Sequence, residues 1–402
     1  MKLFWVLLAL LVPNFCFSAP DEAALGKADG YPVCPVAQAS TTRCLIGTVS
    51  RADEVFPANK VAKGAQVLPL RRAAAEPALR YTHGFGGSGT LDDYLSRNRT
   101  TGLLVMKGDM ILVERYQYDR KPEHRMASYS MAKTVVAMLV GIALHEGKLK
   151  SIDDRAEAYV PELKGHPYGE TPLRHLLSMS SGVSFTENYG GKDDVSVLVR
   201  LSLSQQSPGG VATVMPFRDR VRQPGERFNY ASGETQVLAL VLRAATGRTL
   251  SEYASEKLWQ PMGAEADASW FVDKGGYEVA FGFFNATLRD YARLGLLLAN
   301  DGALGGRQVI PADWVKAATT APARQFQPGQ ATESFGYGYQ TWLFPGEGRR
   351  FQLRGLRGQL VCVDPATKVV VVHTAAREVG ADPGYREQHS MCMGMMDSAA
   401  KL

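Results

Sequence analysis

The chain has 402 residues, of which 45% are apolar and 21% are charged, and its formal net charge at pH 7 is +5. This composition is ordinary for a globular protein, and the length suffices for one large domain or two. The charge is small for the length and no basic run alternates with aromatic residues, so the sequence gives no support for nucleic-acid binding.

The first 18 residues have the pattern of a secretory signal peptide. Lys2 precedes an apolar run from Leu3 to Val12, and Cys16 and Ser18 supply small residues at a cleavage site. The run is shorter than a membrane span requires. We therefore expect a secreted or periplasmic protein with no stable membrane insertion after cleavage. An uncleaved anchor is the alternative interpretation.

Removal of this segment would leave four cysteines. An even number in an exported protein suggests two disulfides, for which three pairings are possible. The favoured pairing joins Cys34 to Cys44 as a local link and Cys362 to Cys392 as a link between a late strand and the last helix. No Cys or His spacing typical of a metal site occurs, and we predict neither a metal nor another cofactor.

Residues 19 to about 90 are predicted to be a loop-rich extension that wraps the main body. Gly102 to Tyr118 has the pattern of a β-hairpin that turns at residues 107–109. The next apolar pattern has helical spacing from Val135 to Ala143 and ends at Gly147. Ser130 and Lys133 therefore stand at the beginning of a predicted helix.

Ser130-Met131-Ala132-Lys133 is the most informative stretch of the chain. Residues three apart on a helix share a face, so the amine of Lys133 can reach the hydroxyl of Ser130. A serine needs a base to act as a nucleophile, and burial lowers the pKa of a lysine enough for it to serve. A bare Ser-x-x-Lys is expected about once by chance in a chain of this length. Its position at a helix N-terminus favours the catalytic interpretation, because the free N–H groups there stabilise negative charge.

The periodicity from about residue 150 to 300 is mainly helical, and strand signals follow it. The expected helices are Leu173–Met179, Thr235–Ala245, Leu250–Leu258 and Leu288–Leu298, with a last helix near Tyr385. The expected strands are Phe335–Phe344, Phe351–Leu353, Leu360–Val363 and Val369–His373. Strands at both ends of a helical middle predict one sheet built from distant segments, with the helical portion to one side.

A lysine-activated serine also needs a proton carrier and donors for an oxyanion. Tyr230 lies in a turn before a predicted helix and is the candidate carrier, although a packed aromatic is the alternative. Gly355 permits close backbone approach at a sheet edge, so the N–H of Leu356 could pair with that of Ser130 as oxyanion donors.

The order of these motifs resembles the serine β-lactamase and penicillin-binding superfamily, in its class C-like branch. Ser130-x-x-Lys133 is followed by Tyr230-Ala231-Ser232 and then by a strand that contains Gly355. Two further segments, Leu176–Gly182 and Thr287–Gly295, match the branch's L-L-x-x-x-S-G and R-D-x-A-R-x-G patterns. The resemblance runs from about residue 90 to 375. It implies a β-lactamase/transpeptidase-like α+β fold, an α/β sandwich whose antiparallel sheet is flanked by helices, with a mainly helical subdomain.

The resemblance implies that Ser130 is the nucleophile, Lys133 the base and Tyr230 the proton shuttle, with Leu356 donating to the oxyanion. Ser232 stands where class C β-lactamases have asparagine, and Leu353-Arg354-Gly355 stands where they have Lys-Thr-Gly, so the lysine of that motif is missing. These departures favour family VIII carboxylesterases and 6-aminohexanoate-dimer hydrolases. Those enzymes also resemble this chain at Tyr189, which would close over a bound amide or alternatively be a surface aromatic.

We therefore expect residues 1–18 to be a signal peptide, 19–90 an extension and 91–402 a catalytic domain with a helical subdomain at about 150–300. The expected activity is a serine hydrolase that cleaves small amides or esters through an acyl-enzyme on Ser130. One alternative is a β-lactamase or D,D-peptidase, since Arg354 or Arg357 could still recognise a carboxylate. A non-catalytic binding protein is a second alternative. The expected partner is a small molecule, and the sequence does not predict an oligomeric state.

Overall fold

The computed structural model describes residues 19–82, 87–204, 207–380 and 384–402, so the predicted signal peptide lies outside the described residues. The α-helices are α1 Leu45–Arg51, α2 Leu91–Arg97, α3 Ala132–His145, α4 Leu173–Leu177, α5 Asp194–Leu203, α6 Ser232–Thr246, α7 Leu250–Ala254, α8 Leu288–Ala299, α9 Ala312–Ala318 and α10 Gly384–Ala400. The strands of the first half are β1 Ala58–Val61, β2 Arg71–Arg72, β3 Arg80–Thr82, β4 Ser88–Thr90, β5 Thr100–Lys107, β6 Met110–Tyr116 and β7 Met126–Ala127. Those of the second half are β8 Ala268–Phe271, β9 Phe284–Ala286, β10 Ala303–Leu304, β11 Arg307–Gln308, β12 Gly336–Tyr337, β13 Trp342–Leu343, β14 Phe351–Gly355, β15 Gln359–Asp364 and β16 Val369–Ala375.

An eight-stranded sheet joins distant segments of the chain, as the sequence predicts. Its strand order is β12-β13-β14-β15-β16-β5-β6-β2. All neighbours are antiparallel except β2 and β6. The predicted hairpin is β5 and β6, with its turn at Gly108. The central position of β5 and β16 brings the first and last thirds of the chain together.

Helices cover both faces of this sheet, which explains why its central strands are apolar throughout. Along β5, Leu103 and Val105 pack in one core with α10, whereas Leu104 and Met106 pack in another core with α8. Alternate residues of a strand point to opposite faces, so continuous apolar runs are expected where both faces are buried. The fold is therefore α+β, with the layered arrangement that the resemblance implies.

Helix α8 carries the Thr287–Gly295 segment and lies unusually close to the sheet. A Cβ at Gly295 would stand 2.5 Å from the side chain of Val370, so only glycine permits this approach. Thr287 caps the helix by accepting a hydrogen bond from the N–H of Asp290, and the Asp290 carboxylate pairs with Arg293 at 3.0 Å. These contacts give the segment a structural role in holding α8 against the sheet.

The helical middle of the chain packs around α3 and α6. Almost every residue of α3 is buried, and Gly147 follows the helix in a left-handed conformation, as predicted for its end. The expected helix Leu250–Leu258 is α-helical only over the residues of α7, because Ser255–Trp259 forms a π-helical turn. This region also contains β8 and β9, which form a second sheet of order β1-β8-β9-β7 that periodicity did not predict.

The expected strand Phe335–Phe344 is wrong as a single strand. It is a short hairpin in which Gly336 and Tyr337 of β12 pair with Leu343 and Trp342 of β13. The intervening turn has Gln340 at φ +53°, and the N–H of Gly338 donates to the carbonyl of Thr341 at 2.8 Å. A left-handed residue cannot continue a strand, so the apolar and aromatic run folds back on itself.

Both disulfides favoured by the sequence are present, Cys34–Cys44 and Cys362–Cys392. The second links β15 to α10, as expected. Two strands of the segment before residue 90 pair with strands of the main body. β1 pairs with β8 in the four-stranded sheet, and β2 pairs with β6 in the eight-stranded sheet. Within the described residues, no helix has the length and apolarity that a membrane crossing requires.

Candidate active site

Ser130 lies in a tight 3₁₀ turn directly before α3, at the wall of a cavity. Tyr129 before it has φ +43°, a left-handed conformation that is costly for a residue with a side chain. Ser128 fixes this turn, since its N–H donates to the carbonyl of Phe284 at 2.7 Å and its hydroxyl donates to the carbonyl of Tyr129 at 2.8 Å. The N-terminal end of α3 therefore presents a half-buried serine hydroxyl to the cavity.

Lys133 stands one turn later and touches the serine, as the spacing predicts. Its Nζ lies 3.0 Å from Ser130 Oγ, 3.0 Å from Ser232 Oγ and 2.8 Å from the carbonyl oxygen of Phe281. The side chain is 1% exposed. Burial lowers the pKa of Lys133 to about 8, although the nearby Glu187 acts to raise it. A neutral amine at this position can take the proton of Ser130.

Tyr230 faces Lys133 from the turn before α6. The ammonium position lies 5.0 Å from the centre of the tyrosine ring. Burial raises the pKa of Tyr230 well above its ordinary value, and Glu187 adds to this, while interaction with the Ser130 hydroxyl opposes it. The pKa values of the two groups are thus shifted in opposite directions. The lysine loses its proton more easily and the phenol holds its proton more tightly. Such divergence is typical of acid and base partners in an active site.

The turn that carries Tyr230 rests on the Leu176–Gly182 segment. The N–H of Asn229 donates to the carbonyl of Met179 at 2.8 Å, and Met179 itself has φ +55°. The hydroxyl of Ser181 donates to Glu234, in the first turn of α6, at 2.6 Å. The family-like segment therefore supports the tyrosine and does not reach Ser130.

Ser232 and Tyr189 converge on one carboxylate, that of Glu187. Ser232 donates to Glu187 through its N–H at 2.8 Å and through its hydroxyl at 2.9 Å. The hydroxyl of Tyr189 donates to the same carboxylate at 2.8 Å. Because Lys133 donates to Ser232, a chain of hydrogen bonds connects the lysine to the loop that holds Tyr189.

The end of β14 brings Gly355 and Leu356 to the serine. A Cβ at Gly355 would stand 2.1 Å from the carbonyl oxygen of Ser128, so this position requires glycine. Leu356 follows at once and lines the same cavity as Ser130. The next residue, Arg357, has φ +61°, and its guanidinium donates to the carbonyl of Arg377 at 3.0 Å. The backbone at Leu356 is thereby held beside the candidate nucleophile.

Arg354 packs on the aromatic residues beside Tyr230. Its guanidinium stacks over the rings of Phe335 and Trp342, 5.6 and 5.5 Å from their centres. Trp342 in turn packs against Tyr230, with ring centres 5.3 Å apart. Arg354 therefore backs the tyrosine through aromatic contacts and does not line the cavity at Ser130.

Two further groups at the site are not identified by sequence reasoning. Phe281 contributes a backbone carbonyl, for which residue type gives no signal. Glu187 lies two residues before Tyr189, and its acidic side chain beside a family-like tyrosine was the available signal. Across the described ranges, no group of three or more His, Cys, Asp or Glu side chains could hold a metal ion.

Comparison with known proteins identifies the family of the chain. A family model described as Beta-lactamase matches residues 90–390. A 6-aminohexanoate-dimer hydrolase from Paenarthrobacter ureafaciens is 28% identical over 357 residues, which cover 86% of this chain and 88% of that protein. A D-aminopeptidase from Brucella anthropi is also 28% identical, over 180 residues that cover 41% of this chain and 31% of the aminopeptidase.

Solved structures show the same fold. A protein from Bacillus anthracis, provisionally named a 6-aminohexanoate-dimer hydrolase, has a TM-score of 0.79 at 24% identity, covering 89% of this chain and 94% of that one. A penicillin-binding protein from Bacillus halodurans has a TM-score of 0.59 at 18% identity, covering 75% and 97%. Since the family model spans most of the sequence, the chain belongs to the Beta-lactamase family and is a serine hydrolase of the amidase and β-lactamase-like type.

Proposed function

We propose that the protein is an exported serine hydrolase that cleaves small amides or esters through an acyl-enzyme on Ser130. The observation that carries the proposal is the buried Lys133 amine, which contacts Ser130 Oγ and has its pKa lowered to about 8. Three neutral oxygens surround this amine, and within the described part of the chain no carboxylate contacts it directly to hold it in the charged form. A substantial fraction is then neutral near physiological pH and available as a base.

Acylation would begin when Lys133 accepts the proton of Ser130 as Oγ bonds to the substrate carbonyl carbon. The charge that develops on the carbonyl oxygen would be stabilised by the N–H groups of Leu356 and Ser130. Tyr230 would give its proton to the leaving amine or alkoxide as the C–N or C–O bond breaks, and would recover a proton from the Lys133 ammonium. These transfers return the lysine to its neutral form.

Deacylation would repeat these transfers with water in place of serine. Lys133, directly or through Tyr230, would accept a proton from the attacking water, and the Ser130 oxygen would leave with a proton as the ester bond breaks. The products are a carboxylic acid and the regenerated enzyme. No step requires a metal or an added cofactor, because each proton that leaves one group is received by another.

Amides and esters are favoured over β-lactams and cell-wall peptides by the surroundings of Arg354. Its guanidinium is stacked on Phe335 and Trp342 and so is poorly placed to hold the carboxylate of a penicillin. The names of the relatives, a 6-aminohexanoate-dimer hydrolase and a D-aminopeptidase, fit amide cleavage. The small-molecule substrate class follows from these names and from the cavity beside Ser130.

The proposal is tested by labelling and by a substrate panel. A fluorophosphonate is expected to add to Ser130 in intact-mass and peptide analysis. The panel sets a p-nitrophenyl ester and a linear amide beside nitrocefin and a D-Ala-D-Ala peptide, with wild type and Ser130→Ala. Turnover of the first two substrates that Ser130→Ala abolishes supports the proposal. Labelling elsewhere, or full activity in Ser130→Ala, would overturn it, and preference for the last two would indicate the β-lactamase or D,D-peptidase alternative.

Export is part of the proposal and rests on the first 18 residues and the two disulfides, which persist in oxidising compartments. Fractionation of cells that express the whole chain, with N-terminal sequencing of the mature protein, tests it. Recovery of the uncleaved chain from the cytoplasm would contradict export without affecting the hydrolase assignment.

A further inference from the structure

The cavity beside Ser130 has a volume of about 510 Å³. One long wall is a face of α5, along which Val195, Val199 and Leu203 recur at intervals of one helical turn. Eight residues of helix rise about 12 Å, so this wall is far longer than a single amide group. The cavity therefore has room for an extended apolar arm of the substrate.

Other parts of the cavity wall are also apolar. Phe56, Phe271 and Phe283 form a stack with ring centres 4.9 and 5.3 Å apart and nearly parallel planes. The N-terminal extension adds Ala39 and Ser40, which lie within the loop closed by the Cys34–Cys44 disulfide. An arm in this cavity would thus lie between α5, the aromatic stack and the disulfide loop.

Three charged side chains line the cavity, and one of them has no hydrogen-bond or ion-pair partner among the described residues. Glu187 accepts hydrogen bonds from Ser232 and Tyr189, and Arg357 donates to the carbonyl of Arg377. Arg200 is an exposed residue of α5 at the edge of this apolar row, and its side chain lines the cavity but makes no hydrogen bond or ion pair with any described residue. The wall therefore has a net positive charge and one guanidinium free to bind an anion.

We propose that Arg200 binds an anionic group at the end of an apolar substrate arm, so that the enzyme prefers linear amides or esters with a terminal carboxylate. The inference rests on the proposed function and names the substrate class of that site. The apolar row on α5 would bury the methylene groups of the arm. The planar guanidinium would accept the carboxylate through two parallel hydrogen bonds. The alternative is a solvated arginine that merely borders the cavity.

Hydrolysis of matched substrates tests the inference. Two series are used, one with the arm on the acyl side and one with the arm on the amine side of a linear amide, and each arm ends in carboxylate, methyl ester or ammonium. Arg200→Ala is expected to raise KM for carboxylate arms about threefold to tenfold and to change KM for methyl ester arms less than twofold. Arg200→Glu should raise KM for carboxylate arms further and lower KM for ammonium arms.

Lys192→Glu is the matched control, because Lys192 is an exposed cation eight residues before Arg200 that does not line the cavity. It changes the net charge as much as Arg200→Glu does. The inference is wrong if Lys192→Glu raises KM for carboxylate arms as much as Arg200→Glu does. It is also wrong if the Arg200 variants change KM equally for neutral and anionic arms.

A binding measurement separates failure of this inference from failure of the proposed function. Ser130→Ala protein is titrated by calorimetry with α,ω-dicarboxylates of four to ten carbons and with the corresponding diamides. Preference for the dicarboxylates that Arg200→Ala removes would support the anion subsite even if no substrate is hydrolysed. Hydrolysis of amides without any such preference would leave the proposed function intact and overturn the subsite.

Discussion

The carboxylate of Glu187 accepts two hydrogen bonds from Ser232, one from the backbone N–H at 2.8 Å and one from the hydroxyl at 2.9 Å. The hydroxyl oxygen of Ser232 in turn accepts a hydrogen bond from Lys133 at 3.0 Å. The negative charge is therefore one hydroxyl away from the lysine. At that separation it acts on the proton affinity of Lys133 without neutralising its charge in a direct ion pair.

Substitution Glu187→Gln is expected to move the pH dependence of hydrolysis. Activity that requires a neutral lysine rises with pH through the pKa of Lys133, which is about 8. Because Glu187 acts to raise that pKa, its neutral isostere should shift the rising limb of kcat/KM to lower pH. The measurement is a pH–rate profile of wild type and variant. Glu162→Gln, at an exposed carboxylate, is the control and should leave the limb in place.

A shift of the limb to higher pH in Glu187→Gln, or a profile unchanged in both position and kcat, would contradict titration of Lys133 under the influence of Glu187. A fall in kcat at every pH without any shift would indicate that Glu187 acts only by positioning Ser232 and Tyr189.

Substitution Gly355→Ala is expected to lower kcat strongly and to lower the free energy of unfolding moderately. The added methyl would stand 2.1 Å from the carbonyl oxygen of Ser128, so β14 must move away from the Ser130 turn. Overpacking of this kind costs about 1–3 kcal/mol in free energy of unfolding. The same movement would withdraw the N–H of Leu356 from the oxyanion, at a cost of about 100-fold or more in kcat. Thermal unfolding and steady-state kinetics on one preparation separate the two effects, and full activity would contradict the oxyanion role.

Glu234 should make the protein less stable as pH rises above about 5. Burial raises the pKa of this carboxyl from 4.5 to about 8, although hydrogen bonds from Ser181 oppose the shift. The folded state then binds the proton more tightly than the unfolded state, so its contribution to stability is complete below pH 4.5 and is lost as pH rises towards 8. The slope is at most about 1.4 kcal/mol per pH unit. Glu234→Gln should remove this pH dependence of the free energy of unfolding, measured by urea unfolding between pH 5 and 8. Glu170→Gln, at an exposed carboxylate, is the control and should keep the slope of the wild type.

Removal of the Cys362–Cys392 disulfide should cost more stability than removal of Cys34–Cys44. The first closes a separation of 30 residues and the second of 10, and a longer closed loop restrains the unfolded chain more. Each double alanine variant is expected to lose about 2–4 kcal/mol in free energy of unfolding, with the larger loss for Cys362→Ala/Cys392→Ala by about 1 kcal/mol. Denaturant unfolding measures both. A larger loss from the N-terminal pair would show that this disulfide holds the folded extension against the body.

The sequence alone predicted the elements whose physical cause is local. Ser130 and Lys133 lie 3.0 Å apart because three residues make nearly one helical turn, whatever surrounds the helix. The hairpin β5–β6 and the helix ending at Gly147 follow from patterns within a few residues. The same locality made Phe335–Phe344 misleading, because its apolar run gave no sign of the left-handed turn at Gln340.

What only the tertiary structure decided is the set of contacts between distant segments. Glu187 and Ser232 are 45 residues apart and the carbonyl of Phe281 is 148 residues from Lys133, so no spacing rule relates them. The depressed pKa of Lys133 is likewise a consequence of burial, which depends on the whole fold. The sequence determined which side chains could carry the chemistry. The packing of α3, α6 and β14 determined which of them meet, because hydrogen bonding and desolvation act through space and not along the chain.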